Sequence, residues 1–146
     1  MSGYYNKPEE TAAVLQNGWL RTGDIGIMDE DGFLSIVDRK KDMLIYKGYN
    51  VYPRELEELL FTHPAVANAA VIGKPDPETG EIPKAFVTLK QNKTISEEEL
   101  MNFVNKQVTP YKKIRELEFI DEIPVSAAGK VLKRVLRERE TAKQKQ

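Results

Sequence analysis

The sequence contains no cysteine and a single histidine, His63, and these shortages exclude several kinds of chemistry. Without cysteine the chain cannot form a disulfide, a thiol nucleophile or a thiolate metal site. One imidazole cannot build the histidine clusters that hold zinc. We therefore expect no metal site made by this chain alone.

Long apolar runs and an excess of one charge are also lacking. The 22 basic and 23 acidic side chains give a net charge of -1, without the cationic excess of general nucleic-acid or anionic-membrane binders. The longest low-charge apolar run, residues 65–72, is far too short to cross a bilayer, and the N-terminus shows no signal-peptide pattern. The expectation is a cytoplasmic protein with no transmembrane segment and no nucleic-acid partner.

The 146 residues are 40% hydrophobic, enough for a real core, and their patterning predicts an α+β fold. Gly32 and Gly48 mark the turns of two β-hairpins, and residues 73–80 predict a long polar loop. From residue 43 the order is hairpin, helix, strand, strand, helix, strand, helix, with residues 141–146 as a disordered tail. Predicted strands cover 25–28, 33–37, 43–46, 49–52, 65–72, 84–90 and 114–120; predicted helices begin at Pro53, after Ser96 and after Lys130. Ser96 and Glu99 predict a capping box, and Thr109-Pro110 should end the helix that follows it. This order indicates a hairpin plus a small three-stranded sheet flanked by helices.

Asp24 closes the segment Gly18-Trp-Leu-Arg-Thr-Gly-Asp24. Glycine places this carboxylate on an exposed turn, where it can accept two hydrogen bonds from a ribose diol. Asp24 stands where a phosphate-cradling loop needs lysine, which favours a hydroxyl-bearing ligand over an anion. A turn or capping role for Asp24 is the alternative.

Two further segments suit ligand chemistry or movement. The charged run Asp38-Arg39-Lys40-Lys41-Asp42 fits a hinge between two folded units, or simply a solvated surface. After it, Gly48 would let the backbone of its hairpin approach a ligand closely.

Lys130 follows Gly129 at the entry to the last predicted helix. A helix N-terminus attracts anions and disfavours cations, so Lys130, Lys133 and Arg134 there indicate a clamp for phosphate or carboxylate. The alternative is a set of solvent-facing side chains.

Together, four motifs in register resemble the C-terminal portion of the adenylate-forming enzymes, which include acyl-CoA synthetases, luciferases and the adenylation domains of peptide synthetases. The motifs are Arg21-Thr-Gly-Asp24, Asp38–Asp42, Tyr46–Glu55 and Pro124–Lys130, and the resemblance covers residues 1–140. The segment from Asp42 to Glu55 is most similar to fatty-acyl and related aryl-CoA ligases.

The resemblance implies that a carboxylate attacks the α-phosphate of ATP to give an acyl-adenylate, and that the thiol of CoA then displaces AMP. It implies that Asp24 holds the ribose hydroxyls and that Arg39 supports the same sugar or the adjoining phosphate. Lys41 would be the hinge, Lys130 the adenylation lysine, and Gly48 the residue that leaves room for pantetheine.

The resemblance further implies a fragment, with residues 1–37 as the tail of a large N-terminal domain, 38–42 as the hinge and 43–140 as a lid domain. The acyl pocket, the phosphate loop and the acidic residue for Mg²⁺ would lie in that N-terminal domain, so this chain alone should be inactive. Its partners would be that domain, ATP, CoA and a fatty or other carboxylic acid. Two alternatives remain: an adenylation domain that loads a carrier-protein thiol, and a non-catalytic binding module of the same fold. Aromatic and apolar residues that the N-terminal domain would cover should be mobile or packed on a neighbouring molecule: Tyr4, Tyr5, Trp19 and Leu20.

Overall fold

The computed structural model describes residues 1–144 and divides the chain into two compact units. The first unit is Met1–Lys41 and the second begins at Asp42, so the division falls inside the charged run at 38–42. The helices are α1 (Pro8–Val14), α2 (Pro53–Phe61), α3 (Glu97–Asn105) and α4 (Lys133–Gln144), with a 3₁₀ turn at Pro110–Lys112. The strands are β1 (Leu15–Gln16), β2 (Trp19–Leu20), β3 (Asp24–Met28), β4 (Leu34–Arg39), β5 (Leu44–Tyr46), β6 (Tyr49–Val51), β7 (Val66–Asp76), β8 (Gly80–Leu89) and β9 (Glu116–Phe119). No helix within residues 1–144 is long and apolar enough to cross a membrane.

The first unit consists of α1 and two short antiparallel ladders. β3 pairs with β4 as predicted, and the Asp29 carboxylate accepts the Phe33 N–H at 2.8 Å to close the turn. Tyr5 and Trp19 are 90% and 79% exposed, which is a large exposure for aromatic side chains. Whether this segment is mobile stays a prediction.

The second unit is built on a sheet of five strands in the order β6-β5-β8-β7, with β9 beside β8. β7 runs antiparallel to β8 over most of its length, and β9 runs parallel to β8. The hairpin β5–β6 joins this sheet through one ladder pair, Tyr46 with Gly80. The predicted α+β fold, a hairpin with a three-stranded sheet and flanking helices, is therefore confirmed.

Alternation along the strands buries both faces of the sheet. Val71 and Val87 face α2 and α3, whose buried leucines complete one core cluster. Ala70, Ile72 and Phe86 face the other way and pack with Leu136 of α4. The sheet therefore lies between α2 and α3 on one side and α4 on the other.

The long polar loop predicted at 73–80 is wrong. β7 continues to Asp76 and β8 starts at Gly80, which leaves a three-residue turn at residues 77–79. The Asp76 carboxylate closes this turn by accepting the Thr79 N–H at 2.8 Å and the Thr79 hydroxyl at 2.6 Å. Pro75 is compatible with a strand here because β7 lies at the edge of the sheet, where a missing N–H breaks no ladder bond.

The C-terminal helices also differ from expectation in their bounds. The capping box at Ser96 is confirmed, but α3 ends at Asn105 rather than at Thr109. α4 continues to Gln144, so residues 141–144 are helical where a disordered tail was expected. Ion pairs explain this extension, because Lys143 lies 2.8 Å from Glu118 of β9. Residues 145 and 146 of that predicted tail lie outside the described residues.

Candidate functional site

Asp24 and Arg39 lie opposite each other in the ladder of β3 and β4. The Nε atom of Arg39 is 3.6 Å from Oδ1 of Asp24. Their side chains are 56% and 31% exposed, so both remain accessible while paired. The hairpin thus brings together the two residues that the sequence assigned to a nucleotide.

An open cavity of about 560 Å³ lies beside this pair, lined by Thr22, Gly23, Arg39, Lys40 and Lys41. The Lys40 N–H donates to the Gly23 carbonyl at 2.8 Å, which holds the two strand ends together. Lys40 and Thr22 were not predicted as site residues; their only signal was adjacency to Asp24 and the charge run. A carboxylate with several cations at one cavity suits a ligand that carries hydroxyl groups and negative charge.

Lys41 is exposed and is the last residue of the first unit. Its position in a turn between two compact units is compatible with hinge movement. The hinge role itself stays a proposal.

Gly48 lies at the tip of the hairpin β5–β6, with Lys47 before it. Their φ angles are +83° and +49°, the pair of left-handed conformations that a two-residue hairpin turn requires. A Cβ atom added to Gly48 would meet nothing within 4 Å. The turn is held from both sides, because the Lys47 N–H donates to the Thr79 carbonyl at 2.9 Å and the Tyr49 ring stacks on Tyr111. Gly48 therefore lies on a fixed turn with free space above it.

Lys130 lies at the end of a tight turn between β9 and α4. The Ser126 N–H donates to the Lys130 carbonyl at 2.8 Å, and the Gly129 N–H donates to the Ser126 carbonyl at 2.8 Å. Val125 and Val131 form a β-bridge that closes the loop. We call residues 124–132 the Lys130 loop. Its backbone is fixed, whereas the Lys130 side chain is exposed and, within the described chain, no carboxylate pairs with it.

The clamp of three cations predicted at this helix entry is wrong for Lys133. Its ammonium lies 2.8 Å from Glu57 on α2, and the Lys133 side chain is only 12% exposed. Arg134 is exposed and lies 3.6 Å from Glu138 one turn later. Lys130 itself precedes the first helical residue, so it belongs to the loop rather than to the entry turn of α4.

A buried ionic cluster, which sequence reasoning missed, fixes α4 to the sheet. Lys84 of β8 lies 2.8 Å from Glu140 of α4 and 3.0 Å from Glu118 of β9. Burial alone would lower the pKa of Lys84, but hydrogen bonds with these two carboxylates outweigh it and the pKa is raised. Burial opposes ionisation of Glu118 as well, yet its bonds with Lys143 and Lys84 leave the Glu118 pKa below its ordinary value.

Metal ligation finds no support in the described part of the chain. Residues 1–144 contain no group of three or more His, Cys, Asp or Glu side chains that could hold a metal ion. Asp24, Arg39 and Lys41 belong to the first unit, and Gly48 and Lys130 to the second.

Comparison with known proteins gives a consistent assignment. Residues 55–130 match the family model of the AMP-binding enzyme C-terminal domain. The chain is 54% identical over 141 residues to the long-chain-fatty-acid–CoA ligase of Bacillus subtilis. The aligned region covers 97% of this chain and 25% of that protein. It therefore spans about a quarter of the length of the curated relatives it matches.

Solved structures agree. The o-succinylbenzoate CoA synthetase of Bacillus subtilis, solved with an acyl-adenylate intermediate, superimposes with a TM-score of 0.88 at 39% identity over 94% of this chain and 28% of that one. The amide bond synthetase McbA of Marinactinospora thermotolerans gives a TM-score of 0.86 at 45% identity over 95% of this chain and 29% of that one. The chain belongs to the AMP-binding enzyme C-terminal domain family, within the superfamily of adenylate-forming enzymes.

Proposed function

We propose that this chain is the C-terminal part of an ATP-dependent fatty-acyl-CoA synthetase, which joins a fatty acid to CoA and releases AMP and pyrophosphate. The free ammonium of Lys130 carries the proposal. Four lysines of the second unit are held by carboxylates and so serve the scaffold: Lys74, Lys84, Lys112 and Lys133. Lys130 has no carboxylate partner among residues 1–144, and it is presented on a hydrogen-bonded turn, as a residue that acts on a ligand would be.

In the first half-reaction the fatty-acid carboxylate attacks the α-phosphorus of ATP and pyrophosphate leaves. Two anions must approach each other, and the Lys130 ammonium would bridge them and stabilise the charge that grows in the transition state. Asp24 would accept hydrogen bonds from the ribose hydroxyls, and Arg39 would contact the same sugar or the adjoining phosphate. Magnesium would be held through ATP and by residues outside this chain.

In the second half-reaction the CoA thiol attacks the acyl carbonyl and AMP leaves. Rotation about Lys41 would withdraw Lys130 and bring the Gly48 turn to the reacting centre. The free space above Gly48 supports this assignment, since a pantetheine arm needs an approach that side chains do not obstruct.

The acceptor of the acyl group is inferred from the relatives that this chain resembles. The fold occurs at comparable identity in proteins named as CoA ligases and in one named as an amide bond synthetase. CoA is favoured by the 54% identity to a long-chain-fatty-acid–CoA ligase. A carrier-protein thiol and a non-catalytic module of the same fold are the competing possibilities.

A chimera tests the proposal directly: this chain replaces the matching C-terminal quarter of the Bacillus subtilis long-chain-fatty-acid–CoA ligase. Fatty-acid-dependent pyrophosphate exchange reports adenylation, and release of AMP from preformed acyl-adenylate reports transfer to CoA, to a carrier protein or to an amine. We expect activity with CoA, and we expect Lys130→Gln to lower the exchange about 100-fold or more while transfer from acyl-adenylate changes less than about threefold. Lys93→Gln, an exposed lysine in the loop before α3, is the matched control. A Lys130→Gln chimera with undiminished exchange would remove the assigned role of Lys130, and a wild-type chimera that forms no adenylate would favour the non-catalytic module.

A further inference from the structure

We propose that Glu57 and Lys133 form a positioning pair that fixes the Lys130 loop to the edge of the sheet. The inference rests on the proposed function for the chemistry of Lys130, but the geometry of the pair stands independently. Neither residue is assigned a ligand contact. Their role would be to hold the base of the loop that presents Lys130.

One oxygen atom of Glu57 has two partners. Oε1 accepts a hydrogen bond from the backbone N–H of Val71 at 2.7 Å and forms an ion pair with the ammonium of Lys133 at 2.8 Å. The side chains of Glu57 and Lys133 are 15% and 12% exposed, so water competes poorly for this contact. The carboxylate is thus fixed on one side by backbone and on the other by the start of α4.

The location of Val71 explains how two layers of the unit meet. In the described sheet β7 pairs with β8 alone, so the Val71 N–H that reaches Glu57 lies on the free edge of β7. Glu57 belongs to α2 on one face of the sheet, and Lys133 is the first residue of α4 on the opposite face. The pair therefore joins the two helices around the edge of the sheet.

The charge of Lys133 favours a negatively charged partner at this position. A cation at the first position of a helix is repelled by the partial positive charge of the helix N-terminus. α4 has no acidic residue in its first turn to offset this repulsion. Glu57 supplies the missing negative charge from a neighbouring helix.

Fixing Lys133 also fixes the loop. Only Val131 and Leu132 separate it from Lys130. The Leu132 N–H donates to the Pro124 carbonyl at 2.8 Å, and Val131 forms the bridge with Val125. Movement of Lys133 would be transmitted to these bonds and hence to the ammonium of Lys130.

Amide hydrogen exchange on the 146-residue chain tests the pair without any activity. Lys133→Met removes the ion pair but leaves the Glu57 bond to Val71. We expect the Lys130 and Leu132 amides, both hydrogen-bonded in the loop, to exchange about tenfold faster or more, while the Val71 amide changes less than about threefold. Glu58→Gln, next to Glu57 on α2 but exposed, should change none of them, and Lys133→Arg should restore the slow exchange.

Two results would overturn the positioning role. One is unchanged exchange of the loop amides in the Lys133→Met chain. The other is acceleration of the core Phe86 amide by the same factor as the loop, because the pair would then serve overall stability rather than the loop.

The chimera described above adds an activity measurement. Lys133→Met should lower the kcat of adenylation about tenfold, leave the KM for ATP within about twofold, and spare transfer from preformed acyl-adenylate. If Lys130→Gln abolishes adenylation and Lys133→Met does not lower its kcat, the positioning role fails while the proposed function stands. If Lys130→Gln has no effect, the proposed function fails, and the exchange experiment still decides whether the pair orders the loop.

Discussion

Nη2 of Arg137 lies 2.9 Å from Oδ1 of Asp42, which ties the first residue of the second unit to its last helix. The Asp42 side chain is 14% exposed and the Arg137 side chain 34%, so the pair is partly shielded from solvent. The chain therefore becomes fixed immediately after Lys41. A rotation at the proposed hinge would carry α4 along with the sheet.

The Asp42–Arg137 ion pair should restrain the backbone next to Lys41, at the boundary between the two units. Arg137→Met should destabilise the second unit by about 1 kcal/mol and free the backbone around Asp42. Trypsin should then cut after Lys40 or Lys41 several-fold faster than in the unmodified chain. Arg134→Met is the matched control, because Arg134 is also an arginine of α4 but is more exposed. Equal cleavage rates in the two variants would contradict the role of the Asp42 contact.

Asp24 should contribute mainly to nucleotide affinity. In the chimera, Asp24→Asn replaces a two-acceptor carboxylate by an amide that accepts less and carries no charge, so the KM for ATP should rise about tenfold. The kcat of adenylation should change much less. Asp31→Asn, in the exposed turn of the same hairpin, is the matched control. A KM that stays constant in Asp24→Asn would leave the Asp24–Arg39 pair with a structural role only.

Gly48 should separate backbone strain from ligand access. Gly48→Ala places a side chain at a φ of +83°, which should cost about 1 kcal/mol of stability, measured by urea unfolding. Gly32→Ala in the first hairpin, at a φ of +86° and also facing open space, should carry a similar strain. Only Gly48→Ala should slow transfer of the acyl group to CoA in the chimera. If both alanine variants slow transfer equally, strain rather than access would be the cause.

The acid stability of the second unit should depend on Glu118. The pKa of Glu118 is lower in the folded chain than its ordinary value of 4.5. Ionised Glu118 therefore stabilises the fold at pH values above 4.5, and this stabilisation is lost as the pH falls through the folded pKa. The free energy of unfolding should therefore decline as the pH is lowered below about 4.5. Glu118→Gln should flatten this decline, whereas Glu78→Gln, in the exposed turn before β8, should not. If the free energy of unfolding declines equally below pH 4.5 in Glu118→Gln, the ionic cluster at Lys84 contributes little to stability.

At high pH the same cluster predicts the opposite dependence through Lys84. The pKa of Lys84 is raised above its ordinary value of 10.5. The charged Lys84 ammonium therefore stabilises the fold fully at pH values below 10.5, and this stabilisation is lost as the pH rises through the folded pKa. The stabilising window of the cluster thus covers the whole neutral range.

Local signals in the sequence predicted much of the fold. The turn at Lys47-Gly48 and the capping box at Ser96 depend on neighbouring residues alone, and both are confirmed. The loop expected at 73–80 was wrong because its polar residues form the extended edge of a long strand pair, which depends on a partner strand. Pairing with a partner strand determines whether such a segment is a strand or a loop, and local composition does not reveal that pairing.

The site shows the same division. The placement of Asp24 beside Arg39 follows from a hairpin that the sequence predicts. The pairing of Lys133 with Glu57, and of Lys84 with Glu140, joins residues far apart in the chain and across layers of the fold. No spacing rule indicates such pairs, so a cation expected to bind a ligand proved to be part of the scaffold.

The packing of α4 over Ala70, Ile72 and Phe86 has a consequence for biosynthesis. The partners of Asp42 and Lys84 lie 95 and 56 residues further along, at Arg137 and Glu140. A nascent chain would complete one apolar side of the sheet early and leave the other side exposed until α4 emerged from the ribosome. That interval is when the emerging polypeptide would be most open to chaperone capture or self-association.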